Sequence, residues 1–198
     1  MPWLEMHELD AGVPTVQLQS SQEQSTETTS QTLGKAFHGQ LGFIGFTTAV
    51  RLPRHVHIGS PSSEGKRSLV TERILVLNGV ALVELNGEVY VIPDGALVTI
   101  GPGVPHTWTA CPAGVLLPDG YRSTGRFLMV YQYAEQTAFF PTDCTETLAS
   151  AEQYVEYKGD LDAIRFPQLS ADEVISKGKL VYGKEVLVLA KRRGDTTG

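Results

Sequence analysis

Short apolar runs of strand-like composition alternate with turn residues through the middle of the chain. The runs occupy residues 43–47, 74–77, 80–85, 89–92, 97–100 and 126–133. Turn residues separate them at Asn78-Gly79, Asn86-Gly87, Pro93-Asp94-Gly95 and Gly101-Pro102-Gly103. An Asn-Gly pair between two such runs predicts a tight hairpin, because both central residues of that turn need positive φ. Regular short strands with these turns predict an all-β fold, a sandwich or a closed barrel.

The two flanks have different patterns. Residues 17–31 are rich in Ser, Thr, Gln and Glu, which predicts a surface loop or a flexible lead-in. In residues 145–158, Thr145 can cap a helix, apolar residues recur at helical spacing and Gly159 follows, so we predict one helix there. Residues 170–175 predict the start of a shorter helix, and residues 180–182 and 186–189 a last strand. We therefore expect an N-terminal extension over 1–33, a β-barrel core over 34–135 and a C-terminal extension over 136–198.

Composition and charge limit the classes of partner. The 198 residues suit one domain, and 41% hydrophobic with 19% charged residues is an ordinary globular balance. A net charge of -6 offers no basic surface for phosphates, so we expect a small-molecule substrate and no nucleic acid. No stretch approaches the length of a membrane span, and the first residues lack the pattern of a secretion signal, which predicts a cytoplasmic protein without a membrane partner.

A possible metal site lies among the predicted strands. His55 and His57 are separated by one residue, so a strand would place both imidazoles on one face. Glu72 opens the next strand, and His106 follows the glycine-rich turn at residues 101–105. Imidazoles with one carboxylate suit Fe, Mn, Ni, Cu or Zn rather than Mg or Ca. A His-x-His pair alone is more often a packing or surface feature than a site.

These residues resemble the two motifs of the cupin superfamily. The first motif, His-x-His, a Glu and a Gly seven positions later, is matched by His55-Val56-His57, Glu72 and Gly79. The second motif is a Gly followed further along the chain by Pro-x-Gly-x-x-His. Gly95 matches its first glycine, and the run from Gly101 to His106 matches the rest, with Gly101 in place of the Pro. The resemblance covers roughly residues 42–133 on the expected barrel size. It implies a single cupin-type (jelly-roll) β-barrel, the metal ligands His55, His57, Glu72 and His106, and a homodimer.

One departure from the family pattern concerns the carboxylate. The family leaves only a few residues between the second His and the Glu, whereas here residues 58–71 intervene. Glu64 lies in this insertion and is an alternative ligand, but only Glu72 has the strand and Gly79 context. The insertion itself is either a lid over the site or a solvated loop.

Other side chains near these positions could contact a substrate. Trp108 would share a strand face with His106 and wall the cavity. Arg51 would share a face with His55 and could hold a carboxylate or enolate, unless Arg51 and Arg54 lie in water at the barrel mouth. Tyr131 or Tyr133 could assist proton transfer, or both could pack at the rim. Our predicted catalytic residues are Glu72, Tyr131 and Trp108, and our predicted substrate-binding residues are Arg51, Trp108 and Tyr133.

The resemblance implies several functions. Three His and one Glu are similar to the ligands of cupin dioxygenases, which implies Fe(II) and, with apolar walls, a small aromatic or polyketide-like substrate. Mn, Ni, Cu and Zn are the other metals that the ligands allow. A redox-neutral isomerase, cyclase or decarboxylase is the second hypothesis, and a non-catalytic, metal-stabilised binding protein is the third. Oxygen uptake separates the first two hypotheses.

Overall fold

The computed structural model describes residues 15–18, 39–182 and 185–188. Strands account for most of the regular structure in these ranges, and only one α-helix, α1, is present among them. The strands are β1 (Thr15–Leu18), β2 (Leu41–Thr47), β3 (His55–Gly59), β4 (Glu72–Gly79), β5 (Ala81–Leu85), β6 (Glu88–Ile92), β7 (Leu97–Ile100), β8 (His106–Ala110), β9 (Arg126–Tyr133), β10 (Thr137–Pro141), β11 (Lys179–Tyr182) and β12 (Glu185–Val188), and α1 spans Ala171–Lys177.

The strands form two sheets. One has the order β1-β7-β4-β9-β2 and the other the order β10-β3-β8-β5-β6-β11-β12. Buried side chains from both sheets form one core: Phe46, Ile74, Val76, Val98, Ile100, Phe127 and Met129 from the first, with Ala81, Val83, Leu85, Ile92 and Trp108 from the second. Alternating residues of each strand point into this shared interior, as expected for strands with one buried face. The predicted all-β class is confirmed, and two sheets around one core are compatible with the predicted barrel.

A small helical part covers the outer face of the second sheet. Ser170 caps α1 by accepting from the Glu173 N–H, and the Glu173 side chain accepts from the Ser170 N–H in return. Val174 of α1 packs with Leu82, Val91 and Leu180 in a second apolar cluster. The predicted short helix at 170–175 and the strands that follow it are therefore confirmed. Within the described ranges, none of the helical segments is long and apolar enough to cross a membrane.

The two Asn-Gly pairs behave differently. Asn86 and Gly87 both have positive φ, at 50° and 77°, and join β5 to its neighbour β6 as a hairpin. Asn78-Gly79 is not a hairpin, so that prediction was wrong: β4 pairs with β7 and β9, whereas β5 pairs with β6 and β8. The chain crosses between the sheets at Gly79, where a Cβ would clash with the Arg126 carbonyl. Only glycine tolerates both this close approach and a φ of +80°.

The predicted helix over 145–158 was also wrong. Only Ala151–Gln153 forms a short 3-10 turn, and the rest is extended or irregular. One backbone group and one side chain of this segment bond to distant partners. The Leu148 N–H donates to the Gly103 carbonyl at 3.0 Å, and the Tyr154 hydroxyl donates to the Pro141 carbonyl at 3.0 Å. Tertiary contacts thus outweigh the helical spacing of its apolar residues.

The predicted extensions contribute strands to both sheets. β1 pairs in parallel with β7, so the loop predicted over 17–31 was wrong for residues 17 and 18, and residues 19–31 lie outside the described ranges. β10 pairs with β3 and β11 pairs with β6. The division into 1–33, 34–135 and 136–198 stays a prediction, although residues beyond 135 hydrogen-bond directly to the strands of the predicted core.

Candidate metal centre

Three histidine side chains converge in the interior. His55 and His57 alternate along β3 and share a face, and β8 places His106 opposite His55. The ring centroids lie 4.9 Å apart for His55 and His57, and His106 lies 4.3 Å from His55 and 5.2 Å from His57. One ligand atom of each residue lies within 4.8 Å of the others, and all three side chains are buried. These three buried histidines could hold a metal ion.

Backbone carbonyls fix which nitrogen of each ring faces the centre. The Nδ1 atom of His55 lies 2.9 Å from the carbonyl oxygen of Pro53. The Nδ1 atom of His106 lies 2.9 Å from the carbonyl oxygen of Val104, and the Nδ1 atom of His57 lies 3.3 Å from the carbonyl oxygen of Ala138. Because a carbonyl only accepts, each Nδ1 carries the proton, and we assign each Nε2 a free lone pair. Metal-binding histidines typically donate their other ring N–H to a carbonyl or carboxylate in this way.

Glu72 reaches the same centre from the opposite sheet. Its Oε2 lies 3.0 Å from Nε2 of His106 and 3.4 Å from Nε2 of His57, and the residue is 4% exposed. None of these three atoms has a hydrogen-bond partner among the described residues. With the tautomers assigned above, each contact places one lone pair against another inside the protein. Such contacts are stable only with a positive charge between the atoms, either a proton or a metal ion.

The spacing fits a transition metal. Bonds of about 2.0–2.2 Å around one ion place neighbouring ligand atoms roughly 3 Å apart, because the angles between ligands are about 90–110°. The Glu72 Oε2 distances to the two Nε2 atoms, 3.0 and 3.4 Å, match that spacing. Imidazole nitrogens with one carboxylate oxygen accommodate Fe, Mn, Ni, Cu or Zn. The residues present therefore fit the predicted class of cofactor, and the donor set leaves the metal open.

The charge states also fit a cation. Burial by itself would raise the pKa of Glu72, but a proton held at His57 or His106, which is the positive charge that the short contacts need when no metal ion is bound, lowers that pKa below its ordinary value. Burial lowers the pKa of His55 well below 6.5, and the neighbouring His106 and His57 lower it further. Glu72 is thus an anion and His55 neutral near pH 7, as metal ligands must be.

Glu64, the alternative carboxylate, lies elsewhere. Its side chain is 75% exposed and forms a surface ion pair with Lys66 at 3.4 Å. The insertion folds back along β3: the Gly59 N–H donates to the Ser68 carbonyl at 2.8 Å, and the Val70 N–H to that of His57 at 3.0 Å. These bonds hold the returning chain against β3 and lead it into β4 at Glu72. Residues 60–67 between these paired positions are exposed, and the alternatives of a lid or a solvated loop stay predictions.

Aromatic rings surround the histidines. The Phe139 ring stacks on that of His55 with centroids 3.8 Å apart, and Phe139 is 41% exposed. The Tyr133 ring lies 4.5 Å from that of His57 and 5.3 Å from that of Tyr131. Burial, then the charge of Glu72, raises the pKa of Tyr133, so its phenol stays protonated near neutral pH. The Tyr131 hydroxyl accepts a hydrogen bond from the Gln40 side chain at 3.0 Å.

Trp108 lies two residues beyond His106 in β8 and points into the core, as the strand period predicts. It is 1% exposed, and its ring centroid lies 6.4 Å from that of Phe127. The indole N–H has no hydrogen-bond partner within the part of the chain that the structure describes. A buried indole N–H ordinarily finds a partner, so this donor is unusual for the interior of a protein. Its catalytic and substrate-binding roles stay predictions.

The two arginines hydrogen-bond to groups outside the candidate metal centre. The Arg51 guanidinium donates to the Phe166 carbonyl at 2.8 Å and lines a cleft that includes neither the three histidines nor Glu72. The Arg54 guanidinium pairs with Glu84 at 2.6 Å and is 17% exposed rather than free in water. The structure does not bring Arg51 to the metal ligands, so its expected contact with substrate there has no structural support.

The site predicted from the sequence did not include strand β10. This strand supplies the Ala138 carbonyl that orients His57 and the Phe139 ring that stacks on His55. The run Thr137-Ala138-Phe139-Phe140 has the composition of a strand, with turn-like polar residues before it. That signal was present, but its pairing with β3 is a long-range contact that local pattern does not specify.

Comparisons with known proteins gave only weak similarities. No family model matches the chain, and no curated protein matches it significantly. A structure from the work titled "Crystal structures of DMSP lyases RdDddP and RnDddQII" aligns with a TM-score of 0.30 and 18% identity, over 47% of this chain and 35% of that one. A conserved protein of unknown function from Streptococcus pyogenes aligns with a TM-score of 0.31 and 18% identity, over 50% and 67%. The chain spans about a third of the first structure's length, and such scores carry no functional argument.

Proposed function

We propose that this protein is a metal-dependent enzyme in which His55, His57, His106 and Glu72 hold a divalent transition metal. The observation that carries the proposal is the convergence of three buried histidines, each ring fixed through Nδ1 by a backbone carbonyl. Glu72 Oε2 lies 3.0 Å from one of these nitrogens and 3.4 Å from a second, and has no other partner among the described residues.

Within this class, we propose a non-haem Fe(II) dioxygenase that acts on a small aromatic or polyketide-like molecule. A bound Fe(II) would supply the redox chemistry of oxygen and open coordination positions for an organic oxygen ligand. The chain contributes the surroundings: Phe139, Tyr131 and Tyr133 offer flat apolar faces near the histidines, and Ile74 and Val76 close the core behind them. Aromatic substrates fit such walls.

Two tyrosines favour a second candidate, a redox-neutral isomerase, cyclase or lyase. Tyr133 packs against His57 and keeps its proton near neutral pH, so it can donate a proton to a substrate bound beside the histidines. The Tyr131 hydroxyl is held by Gln40 and can still donate its own proton. Oxygen consumption during turnover would support the dioxygenase, and turnover without it the redox-neutral enzyme.

Elemental analysis of carboxylate variants tests the ligand set. Glu72→Ala removes the oxygen at the centre, whereas Glu64→Ala removes an exposed carboxylate of the same type and is the matched control. We expect Glu72→Ala to weaken metal binding by about 10- to 100-fold or more. Removing a group that hydrogen-bonds to a metal ligand typically lowers the metal affinity by that factor, and removing a ligand itself should lower it further. Glu64→Ala should retain the metal content of the wild type. Equal metal content in both variants would contradict the role of Glu72.

A further inference from the structure

A second concave site lies apart from the metal centre. It is a cleft of about 440 Å³ between the end of β2, the end of β8, the start of β9 and residues 167–169 of the C-terminal segment. None of the four proposed metal ligands lines it. Its volume is within the range of about 300–1,000 Å³ that small-molecule sites occupy. We name it the arginine–threonine cleft after Arg51, Arg126, Thr47, Thr48 and Thr124 in its wall.

The charge in this cleft is opposite to that of the whole chain. The protein has a net charge of -6, yet two arginines line the cleft and no Asp or Glu is among its described lining residues. The acid whose charge interacts with Arg51 is Asp162, and its carboxylate is already paired with Arg165 at 2.5 Å. The described lining of the cleft therefore carries two positive charges and no carboxylate.

The two guanidinium groups are in different states. Arg51 is fixed: it donates to the Phe166 carbonyl at 2.8 Å, and Arg165 donates to the Arg51 carbonyl at 2.8 Å. One bond leaves most of its N–H donors available. Arg126 is exposed, and its side chain has no hydrogen bond or ion pair with any described residue. The cleft thus combines one preorganised cation with one that is free to close on a ligand.

Hydroxyl groups add neutral donors beside these cations. Thr47 Oγ1 accepts from the Ala49 N–H at 3.3 Å, which leaves its own O–H free to donate. Thr48 and Thr124 are exposed in the wall of the cleft. Guanidinium forks with adjacent hydroxyls match the planar or tetrahedral oxygens of carboxylates and phosphates.

We propose that the arginine–threonine cleft binds a small organic molecule through its carboxylate or phosphate group. A volume of about 440 Å³ exceeds what one inorganic ion fills, so the apolar lining, with Leu82, Pro112 and Leu169, contacts the rest of the molecule. This proposal is independent of the metal centre, because the two sites share no lining residue.

Titration of the 198-residue chain with inorganic phosphate and with succinate tests the proposal. At constant ionic strength, either anion should shift the backbone amide NMR signals of Thr48, Gly125 and Arg126 in a saturable way. Phosphate and succinate represent the two oxyanion classes, and tighter binding of one identifies the class of ligand. Arg126→Glu should weaken the binding by about tenfold or more, since it replaces the free cation by an anion.

The control is Lys158→Glu, which makes the same change in net charge at a side chain that is 81% exposed and outside the cleft. It should leave anion binding unchanged. An equal effect of both charge reversals, or no saturable shift with either anion, would overturn the proposal. His57→Ala should bind the anions as the wild type does, and loss of binding in that variant would place the anion at the metal centre instead.

Discussion

The metal centre and the arginine–threonine cleft concentrate polar groups in two different ways. At the metal centre every polar group is buried, and three backbone carbonyls fix the histidines before any ligand arrives. In the cleft, Arg51 is fixed, whereas Arg126 is exposed and its side chain has no partner among the described residues. A rigid, desolvated set of lone pairs suits one compact cation with strict geometry. An open, cationic cleft suits an anion attached to a larger molecule.

The largest expected effect comes from His106→Ala, which removes one of the three convergent nitrogens. We expect stoichiometric metal to be lost, because His106 lies opposite His55 and 3.0 Å from the Glu72 oxygen. Elemental analysis measures the metal, and circular dichroism checks that the sheets remain folded. The anion response of the cleft should persist. Full metal content in a folded His106→Ala variant would remove this histidine from the proposed site.

Metal removal should have the next largest effect. A ligand that binds only the folded protein stabilises it by about 2.7 kcal/mol when its free concentration is a hundred times Kd. The metal-loaded protein should therefore unfold at a higher temperature than chelator-treated protein, and adding back the metal should restore the difference. Phosphate in place of metal should not restore it. Identical melting curves before and after verified metal removal would contradict a site of this kind in the folded core.

Phe139→Ala should have a smaller effect. The Phe139 ring stacks on that of His55 with centroids 3.8 Å apart, and such a contact contributes about 0.5–1.5 kcal/mol. If all of this energy served to hold His55 in position for the metal, its loss would lower the metal affinity by roughly tenfold at most. Phe43→Ala is a matched control, because Phe43 is 68% exposed and lies in β2 of the other sheet. Competition with a metal-binding dye measures both affinities. If both variants bind metal as the wild type does, the ring has no positioning role at His55.

The smallest expected effect is that of Arg126→Glu on the metal centre. Because Arg126 is exposed and lines only the cleft, we expect the metal content to stay within about twofold of the wild type, the effect of a distant, screened charge. The same elemental analysis gives this value. A large loss of metal would show that the two regions are coupled, and the comparison between them would fail.

The sequence predicted the strands and the convergence of the histidines well, because both depend on local pattern. Alternation along β3 places His55 and His57 on one face, and the Asn86-Gly87 turn has the backbone its residues favour. Asn78-Gly79 has the same composition but joins two sheets, since the partners of β4 and β5 are set by long-range pairing. The segment 145–158 has helical spacing, yet its Leu148 N–H donates to the Gly103 carbonyl and its Tyr154 hydroxyl to the Pro141 carbonyl.

Long-range contacts also explain what the sequence-based site lacked. The approach of Glu72 to His106 depends on two sheets facing each other, and the stacking of Phe139 depends on the pairing of β10 with β3. Arg51 was expected beside His55 because of strand alternation, but the chain from 48 to 54 is not a continuous strand. Its side chain turns instead towards Phe166 in the C-terminal segment, more than a hundred residues away along the chain.

The central claim is that the four convergent side chains hold a transition metal. The most direct test is the metal content of wild-type protein, purified without a metal-chelating tag from metal-replete medium and measured by elemental analysis. We predict about one transition-metal ion per chain, lost when His57 is replaced by Ala. A wild-type protein without stoichiometric metal under these conditions would contradict it.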